Sequence, residues 1–130
     1  DPVNNKDSAE KLWQMINSKK GGYIEFYNGS QKYTTDGYSA AIVRQICNTW
    51  EIPLQTFANR SDIAGGSTLG NISTAHVSIP SADVGLAQLA MHSAMETASC
   101  KDAEYMAKAV AEFYNTPISQ PVDGEWKLGL

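Results

Sequence analysis

The sequence predicts an α/β fold in which helices and strands alternate and the sheet is mostly parallel. Three observations carry this. Apolar residues recur at helical spacing over residues 35–50 and 101–114. Runs rich in aromatic and β-branched residues stand between such stretches, at 23–27 and 53–58. Glycine- and proline-bearing segments separate the runs. At 130 residues the chain suits one domain, or part of one, with a modest core.

The elements follow in order. Residues 7–17 are predicted as a short helix, because Asp7 and Glu10 have capping-box spacing and Leu12, Trp13 and Ile16 share a face. Lys19-Lys20-Gly21-Gly22 ends it. Residues 23–27 read as a strand with Ile24 and Phe26 on one face and Tyr23, Glu25 and Tyr27 on the other. Asn28-Gly29 marks a turn. In residues 35–50, Tyr38, Ile42, Ile46 and Trp50 recur at i+4, and Val43 and Cys47 widen the stripe. Thr34, Thr35 and Asp36 are each suitable caps for that helix.

Residues 53–58 read as a second strand, followed by a polar, glycine-rich stretch over 59–71. Residues 77–79 and 82–86 are short strand candidates on either side of Pro80. The last helix is expected over 101–114, with Ser99 and Asp102 as a capping box and Ala103, Met106, Ala107, Val110 and Phe113 as its apolar face. Residues 1–114 form the main unit and 115–130 a tail, irregular where Pro117, Pro121 and Gly124 oppose a regular element.

Composition excludes several classes of function. Charged residues make up 18% and hydrophobic ones 42%, which excludes wholesale disorder. Ten basic against fourteen acidic residues give a net charge of −4, which argues against nucleic acid as a partner. No apolar run approaches the roughly 20 residues of a membrane helix, so no membrane partner is expected. Cys47 and Cys100 are far apart and form no CxxC pair, which fits a reducing, cytoplasmic setting. Asp1 is preceded by no initiator Met and followed by no signal-peptide pattern, so the chain is expected to be a piece of something longer or a processed product. Two histidines and two cysteines are a thin supply for a self-contained metal enzyme, although carboxylates could complete a site.

Ligands of α/β sheets bind near the C-terminal ends of strands, which directs attention to the loops after Ala58 and Leu86. The first contains Gly65-Gly66-Ser67-Thr68-Leu69-Gly70. Its glycines permit close backbone approach to a ligand, and Ser67 and Thr68 could cap a helix whose free N–H groups face an anion or carbonyl. A tight strand-to-helix turn needs the same glycines, and both readings stay open. The P-loop spacing and its lysine are absent. The second loop carries His92, which could bind a metal or move a proton, or stand as a hydrogen-bonded structural residue. His76 reads as structural. Asp83 lies within an apolar strand and needs a partner: it could orient His92, or accept from backbone or arginine. Lys32 and Tyr33, before the capped helix, could face a substrate or simply form a solvated turn.

Three stretches in this order, QKYTTDGYSAAIVRQIC, IPLQTFANRSDIAGGSTLGNIS and ADVGLAQLAMHSAMETA, resemble the C-terminal part of the aspartyl aminopeptidase family, which includes vacuolar aminopeptidase I. The likeness covers roughly residues 1–114. It implies a three-layer α/β/α sandwich, here an incomplete catalytic domain. It also implies a zinc aminopeptidase with two metal ions that removes N-terminal, often acidic, residues from a peptide substrate and assembles as a homo-oligomer. Carried over, His92 matches the last zinc-ligand histidine. Tyr33, Gly65, Gly66, Ser67, Thr68 and Met91 match positions lining the substrate pocket.

The resemblance places the other metal ligands, the catalytic glutamate pair and an HPNY-like segment upstream of Asp1. No catalytic residue is therefore assigned within this chain, and the isolated chain is expected to be inactive and to bind zinc weakly. Two departures stand out. The strand at 23–27 has no lysine where the family associates one with acidic substrate side chains, and Glu25 there would repel such a substrate. Ala87 replaces the family's usual proline before QLAMHS. The competing reading is a non-catalytic α/β binding or assembly module that keeps the fold without the metal centre.

Overall fold

The computed structural model describes residues 23–26, 33–58, 62, 66 and 68–130, with the backbone alone for 23–26. The helix expected over 7–17 lies outside the described residues, as do Lys32, Gly65 and Ser67. Among the described residues ten elements follow one another: β1 (Tyr23–Phe26), α1 (Gly37–Thr49), β2 (Gln55–Ala58), α2 (Leu69–His76), β3 (Val84–Gly85), β4 (Gln88–Leu89), β5 (Thr97–Ala98), α3 (Cys100–Asn115), β6 (Ile118–Val122) and β7 (Glu125–Leu128). Helices and strands mix along the chain as expected.

Pairing is less parallel than the sequence predicts. β1 is the centre of a three-stranded sheet of order β2-β1-β3. It runs parallel to β2, with Tyr23 opposite Gln55 and Phe26 opposite Ala58. It runs antiparallel to β3, with Ile24 opposite Val84. The β4–β5 and β6–β7 pairs are also antiparallel. Parallel pairing is thus confined, among the described residues, to the β1–β2 pair.

α1 starts where its chemistry is best. Of the three candidate caps, Asp36 is the N-cap: its Oδ1 accepts from Ser39 N–H at 2.7 Å, and Ser39 Oγ accepts from Asp36 N–H at 2.9 Å. This reciprocal box satisfies two donors that the helix cannot pair internally. The helix ends in a Schellman arrangement, with Ile52 N–H donating to Cys47 C=O at 2.8 Å and Glu51 N–H to Asn48 C=O at 3.3 Å. Glu51 takes φ +52 there, a left-handed position that glycine usually fills. Cys47 and Ile52 are both buried, which supplies the apolar contact this motif favours.

The core gathers around α1. Ile46 is 2% exposed, and Ala40, Cys47, Ile52 and Ala87 are buried with it. Both cysteines are free; Cys47 is buried and Cys100 exposed, and burial pushes the Cys47 thiol up. α3 packs against α1, and Lys108 Nζ donates to Trp50 C=O at 2.9 Å, closing an orphan carbonyl at the end of α1. An apolar cavity of about 570 Å³ lies between these helices, lined by Ile42, Ile46, Met106, Val110 and Phe113 among others. Ala103 and Ala107, expected on the same face of α3, are exposed.

Four further expectations are corrected. Residues 77–79 form no strand: Val77 caps α2, and Ile79 N–H turns back to Val77 C=O at 2.9 Å. The strand expected over 82–86 shrinks to two residues, because the Asp83 N–H is taken by the Thr35 hydroxyl rather than by a strand. Ser99 makes no side-chain cap on α3. The supposedly irregular tail is a hairpin, β6–β7, turning at Asp123-Gly124 with Gly124 at φ +79. Pro121 fits because a two-stranded ribbon has outer edges that need no N–H. Ile118 and Trp126 fold back to line the apolar cavity. No helix among the described residues is long and apolar enough to cross a membrane.

Two predictions follow from these packing details. Glu51→Gly removes a side chain from a left-handed position and should stabilise the chain by up to about 1 kcal/mol in urea melts. Asp102 is only 2% exposed, and desolvation raises its pKa above the usual carboxylate value. The folded state then binds more protons than the unfolded state at pH values above 3.8, so this group costs stability as pH rises. The stability advantage of Asp102→Asn over the parent should grow between pH 4 and pH 7, read by thermal melts.

Candidate functional site

Three segments distant in sequence meet at Thr34, Gly70 and Asp83. Asp83 Oδ2 accepts from Thr34 N–H at 2.8 Å and from the Thr34 hydroxyl at 3.0 Å. Asp83 N–H donates in return to Thr35 Oγ1 at 2.7 Å. Of the partners open to Asp83 in the sequence, the structure selects backbone and hydroxyl rather than His92. Thr35 is buried, so its hydroxyl needs the bond it makes. Gly70, in the first turn of α2, lies against this junction. A Cβ built there would come within 2.7 Å of Thr34 Cγ2 and 3.1 Å of Asp83 Oδ2. One glycine of the GGSTLG stretch is therefore required by close packing rather than by a turn.

α2 begins after that stretch, with Thr68 as N-cap, as the sequence suggests. The Thr68 hydroxyl makes no capping bond. Thr68 Oγ1 and Asn71 Oδ1 are buried without a hydrogen-bond partner among the described residues. A polar cavity of about 570 Å³ opens beside Asn71, lined by Tyr33, Thr34, Asp36, Asn71, Thr74 and Ser78 among others. Neither Gly66, which is exposed, nor Met91 nor His92 lines it.

His92 sits in the loop 90–96 that joins β4 to β5, at an exposed position. Its backbone is left-handed at φ +67, and Ala90 is at φ +53. Such angles cost an L-residue on the order of 1–2 kcal/mol each and persist only where surroundings fix them. Here the His92 N–H donates to the Glu96 carboxylate, and Ser93 N–H donates to Ala90 C=O at 2.9 Å. The loop presents His92 and the 48%-exposed Met91 outward.

The sequence-predicted residues thus divide. Tyr33 faces the polar cavity; His92 and Met91 stand on the β4–β5 loop; Gly66 is exposed before α2. Thr34, Thr35 and Asn71 are the site-building residues that sequence reasoning missed. In the sequence the threonine pair of QKYTTD signals only a helix cap. As a zinc site the described residues fit only in part. His92 is an exposed imidazole, and no group of three or more His, Cys, Asp or Glu side chains among the described residues could hold a metal ion.

Residues 10–114 match the family model of aminopeptidase I zinc metalloproteases (M18). The chain is similar to a probable M18 family aminopeptidase 2 of Clostridium novyi (strain NT), 45% identical over 86 residues that make up 66% of this chain and 20% of the relative. It is similar to the corresponding protein of Clostridium acetobutylicum, 43% identical over 88 residues, 68% of this chain and 20% of that one. Its fold matches a chain in the cryo-EM structure of the Ape4 and Nbr1 complex with a TM-score of 0.69 and 32% identity, over 73% of this chain and 18% of that chain. It also matches the crystal structure of prApe1, with a TM-score of 0.69 and 23% identity, over 74% of this chain and 20% of that one. The chain spans about a fifth of the length of the relatives it matches.

The close packing at Gly70 yields a direct test. Thr34 is short, branched and held by Asp83, so it cannot swing aside for a new methyl group. Gly70→Ala should therefore destabilise the chain by about 1–3 kcal/mol in urea melts, despite the better helix propensity of alanine.

Proposed function

The chain belongs to the aminopeptidase I (M18) family of zinc metalloproteases, and from that premise we propose that it forms the C-terminal part of the catalytic domain of a zinc-dependent aminopeptidase. The observation that carries this reading is the family match over residues 10–114, which takes in every segment that builds the candidate site. The reaction is hydrolysis of the N-terminal residue of a peptide.

In this reading His92 is a zinc ligand, and Tyr33, Gly65, Gly66, Ser67 and Met91 line the substrate pocket. The loop geometry supports the role of His92. The Glu96 carboxylate fixes the His92 backbone in a left-handed turn and leaves the residue exposed to a face where further ligands can approach. Those ligands come from the four fifths of the relatives that this chain does not span. When bound, zinc would activate water and polarise the scissile carbonyl. This chain's own contribution is to hold one ligand and to shape the polar cavity beside α2. Two ions, a three-layer α/β/α sandwich, a homo-oligomer and a cytoplasmic location are the complete protein's attributes in the same reading.

The test uses the complete protein that contains this segment. It should hydrolyse aminoacyl p-nitroanilides in a chelator-sensitive way, whereas residues 1–130 alone should not. His92→Ala should lower kcat/KM at least 100-fold and reduce bound zinc by elemental analysis, with the circular dichroism spectrum unchanged. Full zinc occupancy in that variant would remove His92 from the ligand set. A complete protein that cleaves no aminoacyl substrate would favour the non-catalytic module.

A further inference from the structure

We propose that Asp83 is a positioning residue of the substrate pocket: it holds Thr34, and through it Tyr33, in a fixed place against the first turn of α2. The inference rests on the aminopeptidase reading above, because that reading gives Tyr33 its role in the pocket.

Asp83 and Thr34 are 49 residues apart, yet one carboxylate oxygen takes both donors of Thr34, the N–H at 2.8 Å and the hydroxyl at 3.0 Å. Hydrogen bonds to a carboxylate are about twice as strong as neutral ones. The return bond from Asp83 N–H to the buried Thr35 hydroxyl, at 2.7 Å, makes the linkage reciprocal. Three bonds therefore fix the position and the direction of residues 34–35. Tyr33 precedes them by one peptide unit, which is rigid and planar, so its Cα is placed by the same bonds.

α2 lines the same polar cavity as Tyr33 and contributes Asn71 and Thr74 to it. Gly70 lets α2 approach both Thr34 and Asp83 at a distance no side chain would permit. The spacing between Tyr33 and the α2 wall is thus set at one point, where Thr34, Asp83 and Gly70 touch. Releasing Thr34 would change that spacing while leaving the buried core around Ile46 and Cys47 in place. The effect should fall on substrate binding more than on turnover.

The experiment takes Asp83→Asn, Thr34→Val and Thr34→Ser in the complete protein. It reads kcat and KM on an aminoacyl p-nitroanilide and hydrogen–deuterium exchange over residues 33–36 and 68–71. Asp83→Asn and Thr34→Val should raise KM roughly tenfold with kcat within about twofold of the parent. Thr34→Ser, which keeps the hydroxyl, should stay within about twofold on both. Exchange should rise at both segments in the first two variants alone. Unchanged KM in folded Thr34→Val protein, or a loss carried by kcat, would overturn the proposal. If Asp83→Asn fails to fold, the two Thr34 variants decide. If the parent cleaves no aminoacyl substrate, the aminopeptidase reading fails first. Exchange then judges the linkage: a rise at 33–36 and 68–71 together supports it, and no rise overturns it.

Discussion

The arrangement of this chain turns on one carboxylate. Asp83 accepts both donors of Thr34 and gives its own N–H to Thr35. A carboxylate in a partly buried position demands donors, and a buried hydroxyl demands a partner. Each demand here is met by the other segment. The linkage also ends strand pairing before Val84, since an N–H bonded to a side chain is lost to the sheet ladder.

Neighbouring elements inherit their position from that contact. Asp36, the residue after Thr35, caps α1, so the start of the main helix follows directly on the linkage. α2 meets it through Gly70. Downstream of Asp83 the chain passes through β3, the buried Ala87 and β4 to the loop bearing His92. Tyr33 lies one residue before this contact and His92 nine residues after Asp83, although 59 residues separate the two in sequence.

Much of this was legible in the residues. The stripe of Tyr38, Ile42 and Ile46 gave α1, and Asp36 was among its three possible caps. The GGSTLG and AMHS stretches gave the family. What escaped had physical causes. Asp83 has no local partner, and sequence spacing cannot show that a threonine 49 residues upstream turns both donors toward it. The parallel preference of alternating elements held for β1 and β2, but β3 joins β1 antiparallel and the β4–β5 and β6–β7 pairs are local hairpins. Pro117, Pro121 and Gly124 were read as breakers of regular structure. In a two-stranded ribbon a proline can occupy an edge and Asp-Gly can supply the turn, a signal that was present and outweighed. Ser99 and Asp102 had capping-box spacing, yet spacing alone does not make the bond.

The central claim is that this chain carries one ligand of a zinc centre whose other ligands lie elsewhere in a longer protein. Anomalous diffraction at the zinc edge, on crystals of the complete protein, tests it most directly. A zinc peak is expected about 2.1 Å from a ring nitrogen of His92. Zinc bound at full occupancy with His92 outside its coordination shell would contradict it.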